Sequence, residues 1–249
     1  MLILLVSLAE RKWGAGISGL LIGLPLTSGP VLFILAIERG PRFSAQTSIG
    51  TLLGLAAVAA FSLAYARVAR SLGWFASFAI ATACYVGLSA FLLRLPLRTG
   101  VRAFAVSCAA IVLTMLMLAP KVATRSGASI FSSREVVLRM LVAAVLVYTL
   151  TRIATVLGPG ASGIVAMFPV YTSIMAIFNH MKSDALALSV LRGVVTGSCG
   201  AVGFFTVLIV ALGSLPTVLC FLLAVAAAMG IEALLFPLLK RAPLEPQAG

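Results

Sequence analysis

The sequence predicts an all-α membrane protein, a polytopic bundle of about nine transmembrane helices. Hydrophobic residues make up 62% of the chain and charged residues only 10%, whereas soluble domains carry about 25% charged residues. Apolar runs of about 18 residues or more, enough to span a bilayer, recur along the whole chain. These runs are continuous rather than alternating. They therefore favour helices over a closed barrel, the other structure that can span lipid.

Nine apolar segments follow one another with short connections and predict a single membrane domain, residues 1–249. The segments are 1–9, 16–37, 44–66, 73–93, 101–119, 136–156, 160–180, 186–212 and 215–239. The first is too short for a full span, so we expect either a partial helix or a natural start upstream of Met1. Glu135 follows Ser132 at the spacing of a capping box, which marks the start of the sixth helix. Residues 241–249, with two prolines, predict a disordered tail.

A repeated motif indicates that the domain consists of two related halves. Residues 14–19 and 25–28 (GAGISG and PLTS) return 144 residues later as residues 158–163 and 169–172 (GPGASG and PVYT). Beyond the motif, three residues match three others at an offset of 143, namely Gly50, Gly54 and Phe61 against Gly193, Gly197 and Phe204.

The repeat also predicts how the halves are arranged. We assign residues 1–93 to the first half and 136–240 to the second, with a linker helix and loop at 94–135. Five segments separate equivalent helices. If all nine segments span, the halves therefore have inverted orientations in the membrane, a construction that recurs in secondary transporters.

The basic residues predict the orientation of the helices. The chain carries 18 Lys and Arg against 6 Asp and Glu, for a formal net charge of +12. Eleven of the basic residues fall in alternate loops on one side and six on the other, with Arg192 unassigned. The positive-inside rule then places the C-terminus in the cytoplasm and Met1 outside. No basic stripe with interleaved aromatic residues is present in the sequence, which argues against nucleic acid as a partner.

The repeat brings a proline and a group of hydroxyl side chains to the middle of the second and seventh predicted helices. Proline lacks an N–H, so Pro25 and Pro169 each free a carbonyl one turn earlier. The candidate substrate-binding residues are Pro25, Thr27, Ser28 and Gly29 in the first copy and Pro169, Tyr171, Thr172 and Ser173 in the second. Paired, interrupted helices at matching positions are the best pointer to a transporter's binding site. The alternative is a kinked helix whose hydroxyls bond to its own backbone.

Three ionisable residues are candidates for carrying a coupled proton: Glu38, His180 and Glu232. Glu38 and His180 end the two interrupted helices, so the alternative for both is a solvated helix cap. Glu232 lies deeper, eight residues before Lys240, and a carboxylate within a span is a functional hypothesis by default. Its alternative role is that of an ion-pair partner, with Arg192 as the candidate cation.

Glycines at helical spacing predict close helix packing. Residues 14–19 have the GxGxxG spelling, but they follow a charged turn rather than a strand, which argues against a dinucleotide site. The glycines at positions 16, 19 and 23, and those at 160 and 163, instead indicate packing faces. A further series in the eighth helix is expected to form one face: Gly193, Gly197, Gly200 and Gly203.

The sequence carries no motif for enzymatic chemistry. It lacks HExxH, GxSxG and paired carboxylates at helical spacing, so the chain is not expected to be an enzyme. The four cysteines lie inside apolar runs without a CxxC or Cys/His spacing. We therefore predict neither a metal nor a cofactor.

Residues 19–30 (GLLIGLPLTSGP) and 36–40 (AIERG) resemble a group of uncharacterised bacterial polytopic inner-membrane proteins. Each half also resembles the GlpM-like family of small membrane proteins, in which a glycine-rich turn precedes a helix with a central Phe-Pro. That pair is Phe168-Pro169 in the second copy, while the first copy has Leu24-Pro25. The likeness covers about residues 13–66 and 157–210. The resemblance implies this fold and a bacterial inner-membrane location, but it implies no established activity. The short first segment departs from the pattern of the group.

These observations predict a secondary transporter or permease for a small polar solute or ion, embedded in the lipid bilayer. The two halves would rock around the interrupted helices, whose hydroxyls and freed carbonyls would coordinate the solute. The alternative is a non-transporting scaffold or assembly factor, in which the prolines and glycines serve packing alone. A transporter needs water to reach Ser28 and Thr172, whereas a scaffold packs them dry. A homo-oligomer is left open.

Overall fold

The computed structural model describes residues 2–96, 99–118, 133–166 and 168–240, but not the side chains of residues 133, 151, 153–166 and 236–240. Ten helices occupy these residues: α1 (Leu2–Trp13), α2 (Ala15–Gly23), α3 (Ser28–Glu38), α4 (Pro41–Val68), α5 (Trp74–Arg94), α6 (Gly100–Met117), α7 (Ser133–Ala166), α8 (Val170–His180), α9 (Asp184–Ala211) and α10 (Thr217–Lys240). The predicted all-α fold is confirmed for the described part of the chain. The predicted tail at 241–249 and the capping residue Ser132 lie outside it.

Six helical segments in these ranges are long and apolar enough to cross a membrane. They are Ala15–Glu38, which joins α2 and α3, and Pro41–Val68, Trp74–Arg94, Gly100–Met117, Asp184–Ala211 and Thr217–Leu235. The prediction of a multi-pass membrane protein is thus confirmed. α1 has 12 residues, fewer than the ~20 that cross the hydrocarbon core of a bilayer. Both alternatives for the first segment, a partial helix or a natural start upstream of Met1, therefore stay open.

α7 departs from the predicted segments. A boundary between 156 and 160 was expected, but the backbone stays helical from Ser133 to Ala166, through Pro159. The residue equivalent to Gly158 is Gly14, which has a φ of 91° and separates α1 from α2. Proline is tolerated inside membrane helices because neighbouring groups satisfy the freed backbone. The same motif therefore ends a helix in the first half only.

α9 is the centre of the bundle. It packs against α2, α4, α6, α8 and α10, and 15 of its 28 residues are buried. The backbones of α2 and α9 meet at glycines, because a Cβ at Gly23 would lie 2.7 Å from the Cα of Gly197. Gly16 lies opposite Gly193 in the same way, so α2 and α9 run parallel. The predicted glycine packing face of α2 is confirmed.

The glycine series of α9 faces two neighbours, not one as predicted. Gly193 and Gly197 contact α2, whereas Gly200 and Gly203 contact α10. A Cβ at Gly200 would lie 2.7 Å from Oε1 of Glu232. The reason is geometric: at about 100° per residue, each step of three residues falls about 60° short of a full turn, so two such steps carry Gly203 about 120° around the helix from Gly197.

α4 crosses α9 in the opposite direction. Tyr65, near the end of α4, shares an apolar cluster with Ala187, near the start of α9. Leu52, earlier in α4, shares another cluster with Phe205, later in α9. α8 also runs against α9, because a short turn joins them. The end of α4, the end of α8 and the start of α9 therefore lie at one end of the bundle.

Candidate functional site

Each of the two predicted prolines lies in a break between helices. The first break, Leu24–Thr27, contains Pro25 and separates α2 from α3. Leu24 is extended, with φ −69° and ψ 152°, as the residue before a proline prefers. The second break, Phe168-Pro169, comes directly before α8. Both interruptions fall where the repeat predicts them.

The first break packs against aromatic side chains of α9 and α10. Gly29, at the start of α3, is buried, and a Cβ there would lie 3.3 Å from the ring of Phe204. Phe204 in turn lies edge-on to Phe221, with ring centroids 6.1 Å apart. Phe221 also meets Phe33 of α3 at 5.1 Å. The second half therefore holds the start of α3 in place.

The second break packs against α4 and α5. The ring of Phe168 makes edge-on contacts with Phe61 at 6.3 Å, Phe78 at 6.4 Å and Tyr85 at 5.5 Å between centroids. Pro169 beside it is buried. Helices of the first half thus enclose the second break.

The hydroxyl side chains beside the two breaks differ in access. Thr27 is exposed and Ser28 is half-buried, whereas Thr172 and Ser173 are only 3% and 0% exposed. Ser173 Oγ donates a 2.8 Å hydrogen bond to the carbonyl of Pro169. This is the self-bonded arrangement that the kinked-helix alternative expects.

Two further candidates sit at the margins of the breaks. Pro25 is half-buried. Tyr171 is also half-buried, and it lines a mainly apolar groove of about 570 Å³ between α1, α7 and α8, together with Tyr148. Tyr171 is therefore the candidate residue that adjoins this groove.

The two breaks lie at similar heights along α9. Gly23, just before the first break, faces Gly197 near the middle of α9. Met175 of α8 shares an apolar cluster with Val190 of α9. Because α8 runs against α9, Pro169, six residues before Met175, lies about 9 Å closer to the end of α9. The structure therefore brings both breaks to the level of Gly197 but packs them against different helices.

Glu232 is a buried carboxylate at the same height. Its Oε1 accepts a 3.3 Å hydrogen bond from the N–H of Gly200, and its Oε2 is buried without a partner in the described residues. Gly200 is about 4.5 Å along the helix axis from Gly197, so the carboxylate is level with the first break. The alternative of an ion pair with Arg192 is not observed, because Arg192 lies about 12 Å along α9 from Gly200.

Glu38 and His180 lie at helix ends. Glu38 is the last residue of α3 and is exposed. His180 ends α8, and its Nδ1 lies 3.1 Å from the hydroxyl of Tyr65. Glu38 therefore matches the alternative of a solvated helix end, whereas His180 is half-buried against Tyr65, and neither residue lies beside the breaks.

A largely buried ion-pair network joins α1, α7 and the turn after α8, and it was not predicted from the sequence. Nη1 of Arg139 lies 2.6 Å from Oε2 of Glu10, with both side chains fully buried. Arg139 also pairs with Glu135 at 2.8 Å, and Glu135 pairs with Lys182 at 2.8 Å. The i,i+4 spacing of Glu135 and Arg139 is the one sequence signal for this network. Glu10 is 129 residues from Arg139, so nothing local points to their contact.

The fold and the breaks define a class, an all-α multi-pass membrane protein with two proline-interrupted helical segments at its centre. Comparison with known proteins finds no matching family model, no matching curated protein and no matching solved structure. The resemblance to bacterial inner-membrane proteins and to the GlpM-like family therefore stays a prediction. The function has to be argued from the two breaks and the groups beside them.

Proposed function

We propose that the chain is a secondary transporter of a small polar solute or ion, built from two inverted repeats. One observation carries the proposal: the break of each half packs against the equivalent pair of helices in the other half. α3, which follows the first break, contacts α9 through Gly29 and α10 through Phe33, and Phe168 of the second break contacts α4 and α5.

The bounds and directions of the helices support the repeat. α4 and α9 each have 28 residues and begin 143 residues apart. α5 and α10 begin at the same offset, at Trp74 and Thr217, and α3 and α8 each have 11 residues. Because α4 and α9 run antiparallel, we infer that the two halves have opposite orientations, with α6 as part of the linker.

The aromatic contacts are reciprocal at the level of single residues. Phe61 and Phe78 precede Phe204 and Phe221 by 143 residues each. The first pair encloses the second break, and the second pair lies beside the first break. Such reciprocity is expected of a two-fold repeat interface, which is where secondary transporters bind their solutes.

In this proposal the breaks bind the solute. Interrupted helices at membrane depth expose backbone N–H and C=O groups that an intact helix would satisfy internally, and these groups can coordinate a polar solute. We assign this role to the residues predicted from the sequence: Pro25, Thr27, Ser28, Gly29, Pro169, Tyr171, Thr172 and Ser173. Both breaks lie at the level of Gly197, so they can act on one solute when the halves move.

Glu232 is the proton-coupling group that the geometry favours. It lies at the level of the first break, inside a span, with one carboxylate oxygen that lacks a partner among the described residues. A buried carboxylate without a paired cation is costly to keep charged, so it gains from taking up a proton or binding a cation. Glu38 and His180 stay weaker candidates because they lie at helix ends.

We place the basic end of the bundle, where α1, α4 and α8 end, in the cytoplasm of a bacterial inner membrane. Basic residues at this end include Arg11, Lys12, Arg67, Arg70, Arg139 and Lys182. The positive-inside rule supports this orientation. α10 runs against α9, because Phe221 meets Phe204 while Glu232 meets Gly200. The end of α10 therefore lies on the cytoplasmic side as well.

A non-transporting scaffold is the second candidate. The burial of Thr172 and the internal hydrogen bond of Ser173 favour it, because hydroxyls that are already satisfied have no need of a solute. In a scaffold the breaks would serve packing only, and water would not reach them.

Thiol labelling tests the proposal. The four native cysteines would be replaced, and single cysteines placed at Ser28 and Thr172 in detergent-solubilised protein. A transporter predicts that both cysteines react with a charged, membrane-impermeant thiol reagent, because an aqueous path reaches each break. Labelling at neither site, in a protein that keeps its thermal unfolding transition, would favour the scaffold.

Two control positions make the labelling interpretable. Val31 is 55% exposed on α3 and faces the surrounding lipid or detergent, so a cysteine there is expected to stay unreactive. Ser71, just after α4, is exposed, so a cysteine there is expected to react fully. Rates at Ser28 and Thr172 are compared with these two limits.

A further inference from the structure

A basic cavity opens at the cytoplasmic end of the bundle, separate from the breaks. It lies between α4, α6 and α9 and has a volume of about 250 Å³, room for about eight water molecules at ~30 Å³ each. Three arginines line it, Arg67, Arg70 and Arg192, together with Ser189. Its remaining wall is apolar and includes Leu63 and Met117.

Within the described part of the chain, no acidic side chain neutralises the three arginines. No hydrogen bond or ion pair engages the guanidinium group of Arg67, Arg70 or Arg192 in the described ranges. Arg139, by contrast, sits among carboxylates. Three guanidinium groups around one small cavity repel one another, and an anion between them would relieve that repulsion.

None of the acidic residues that the structure describes forms an ion pair with the three arginines. Glu10 and Glu135 pair with Arg139 and Lys182, and Glu232 bonds to Gly200. Glu38 ends α3, at the opposite end of the bundle from the cavity. Asp184 Oδ1 accepts a hydrogen bond from the N–H of Ala185. The sixth, Glu245, lies outside the described residues, and no acidic residue occurs between 39 and 134 in the sequence.

The charge of this cavity is not part of the repeat. At an offset of 143, the positions equivalent to the three arginines hold Val210, Gly213 and Ile49. The arginines therefore do not follow from the architecture that the two halves share. The positive-inside rule accounts for basic residues at this end of the bundle, but it does not require that three arginines line the same cavity.

We propose that this cavity binds a phosphate-bearing anion, held by Arg67, Arg70 and Arg192. Guanidinium groups pair with phosphate oxygens through charge-assisted, bidentate hydrogen bonds. Basic pockets between transmembrane helices on the cytoplasmic side are suited to lipid headgroups, and the apolar wall at Leu63 and Met117 can take the start of an acyl chain. A free phosphoanion shares the same recognition chemistry. The site is independent of the transport proposal.

Thermal stabilisation in a phosphate-free detergent buffer tests the site with two probes, dihexanoyl phosphatidic acid and inorganic phosphate. A ligand that binds only the folded protein raises the unfolding temperature with its concentration, which gives an apparent affinity for each probe. Stabilisation by phosphatidic acid alone would identify a lipid headgroup site. Comparable stabilisation by inorganic phosphate would identify a free phosphoanion site.

Charge-matched variants decide whether the cavity is responsible. The double variant Arg67→Gln/Arg70→Gln, at two exposed side chains, is expected to weaken the apparent affinity about tenfold or more. Arg192→Gln is expected to do the same. The control Arg39→Gln/Arg42→Gln, at the opposite end of the bundle, should leave the affinity unchanged. The proposal is overturned if neither probe stabilises the wild type, or if the control double variant weakens binding as much as the cavity variants.

Discussion

Glu232 of α10 accepts a hydrogen bond from the backbone N–H of Gly200 on α9, with 3.3 Å between Oε1 and the nitrogen. A Cβ at position 200 would lie 2.7 Å from that oxygen, so a larger residue displaces the carboxylate. The glycine thus makes room for an ionisable group in the middle of a transmembrane helix pair. Packing alone would favour an apolar side chain at position 232, because a buried carboxylate is costly in a membrane.

Replacing Gly200 with alanine is expected to destabilise the protein. The added methyl group overpacks the contact with Glu232, which costs about 1–3 kcal/mol in well-packed cores. Gly230→Ala is the matched control, because a Cβ at Gly230 meets nothing within 4 Å and alanine is the better helix former by ~1 kcal/mol. Thermal unfolding in detergent micelles measures both. Equal unfolding temperatures for the two variants would show that Gly200 does not hold the carboxylate.

The buried pair of Glu10 and Arg139 is expected to behave as a unit. Arg139→Met leaves Glu10 buried without its cation, and breaking a buried ion pair in this way costs about 3–5 kcal/mol. The double variant Glu10→Gln/Arg139→Met removes both charges, so it should recover part of that loss. A double-mutant cycle on unfolding free energies measures the coupling. Additive effects of the two single variants would contradict the pairing.

Lys12→Met serves as the control for that cycle. Lys12 is exposed at the end of α1, two residues from Glu10. Its replacement should change the unfolding free energy by no more than ~0.5 kcal/mol, as for other surface substitutions. A large effect would mean that the stability depends on the total charge at the end of α1 rather than on the pair of Glu10 and Arg139.

Aromatic rings of each half contact or lie beside the break of the other half, so removing these rings is expected to affect the two breaks reciprocally. Phe204→Ala removes the ring beside Gly29 and should raise the thiol labelling rate at Ser28 more than at Thr172. Phe61→Ala removes a ring beside Phe168 and should do the reverse. The measurement is the ratio of the two rates in each variant. The same ratio in both variants would contradict the reciprocal packing, and each variant serves as the control for the other.

The local features of the fold could be predicted from the sequence because local rules decide them. The helix bounds follow the apolar runs, and both breaks fall at prolines that the repeat had matched. The glycine face of α2 follows from small residues at helical spacing. α7 escaped prediction because a Gly-Pro-Gly motif normally ends a helix, whereas the membrane environment tolerates it.

The long-range features could not be predicted because they depend on which helices meet. Glu10 meets Arg139 only because α1 lies beside α7, and Arg67 comes near Arg192 only because α4 crosses α9. No local sequence pattern indicates either contact. For the same reason the sequence alone could not decide whether Arg192, the candidate cation, pairs with Glu232, whereas in the structure the rise of α9 holds the two residues apart. Likewise, each break contacts helices of the other half only once the helices assemble, so no single segment specifies these contacts.

The most direct test of transport is side-resolved labelling of a single cysteine at Ser28. Right-side-out and inside-out membrane vesicles would each be treated with an impermeant thiol reagent, with the cysteine-free protein as background. Alternating access predicts that the same cysteine is labelled from both faces, because each conformation opens the first break to one side. Labelling from neither face, with Ser71→Cys labelled from the cytoplasmic face in the same vesicles, would contradict the transporter and leave the scaffold.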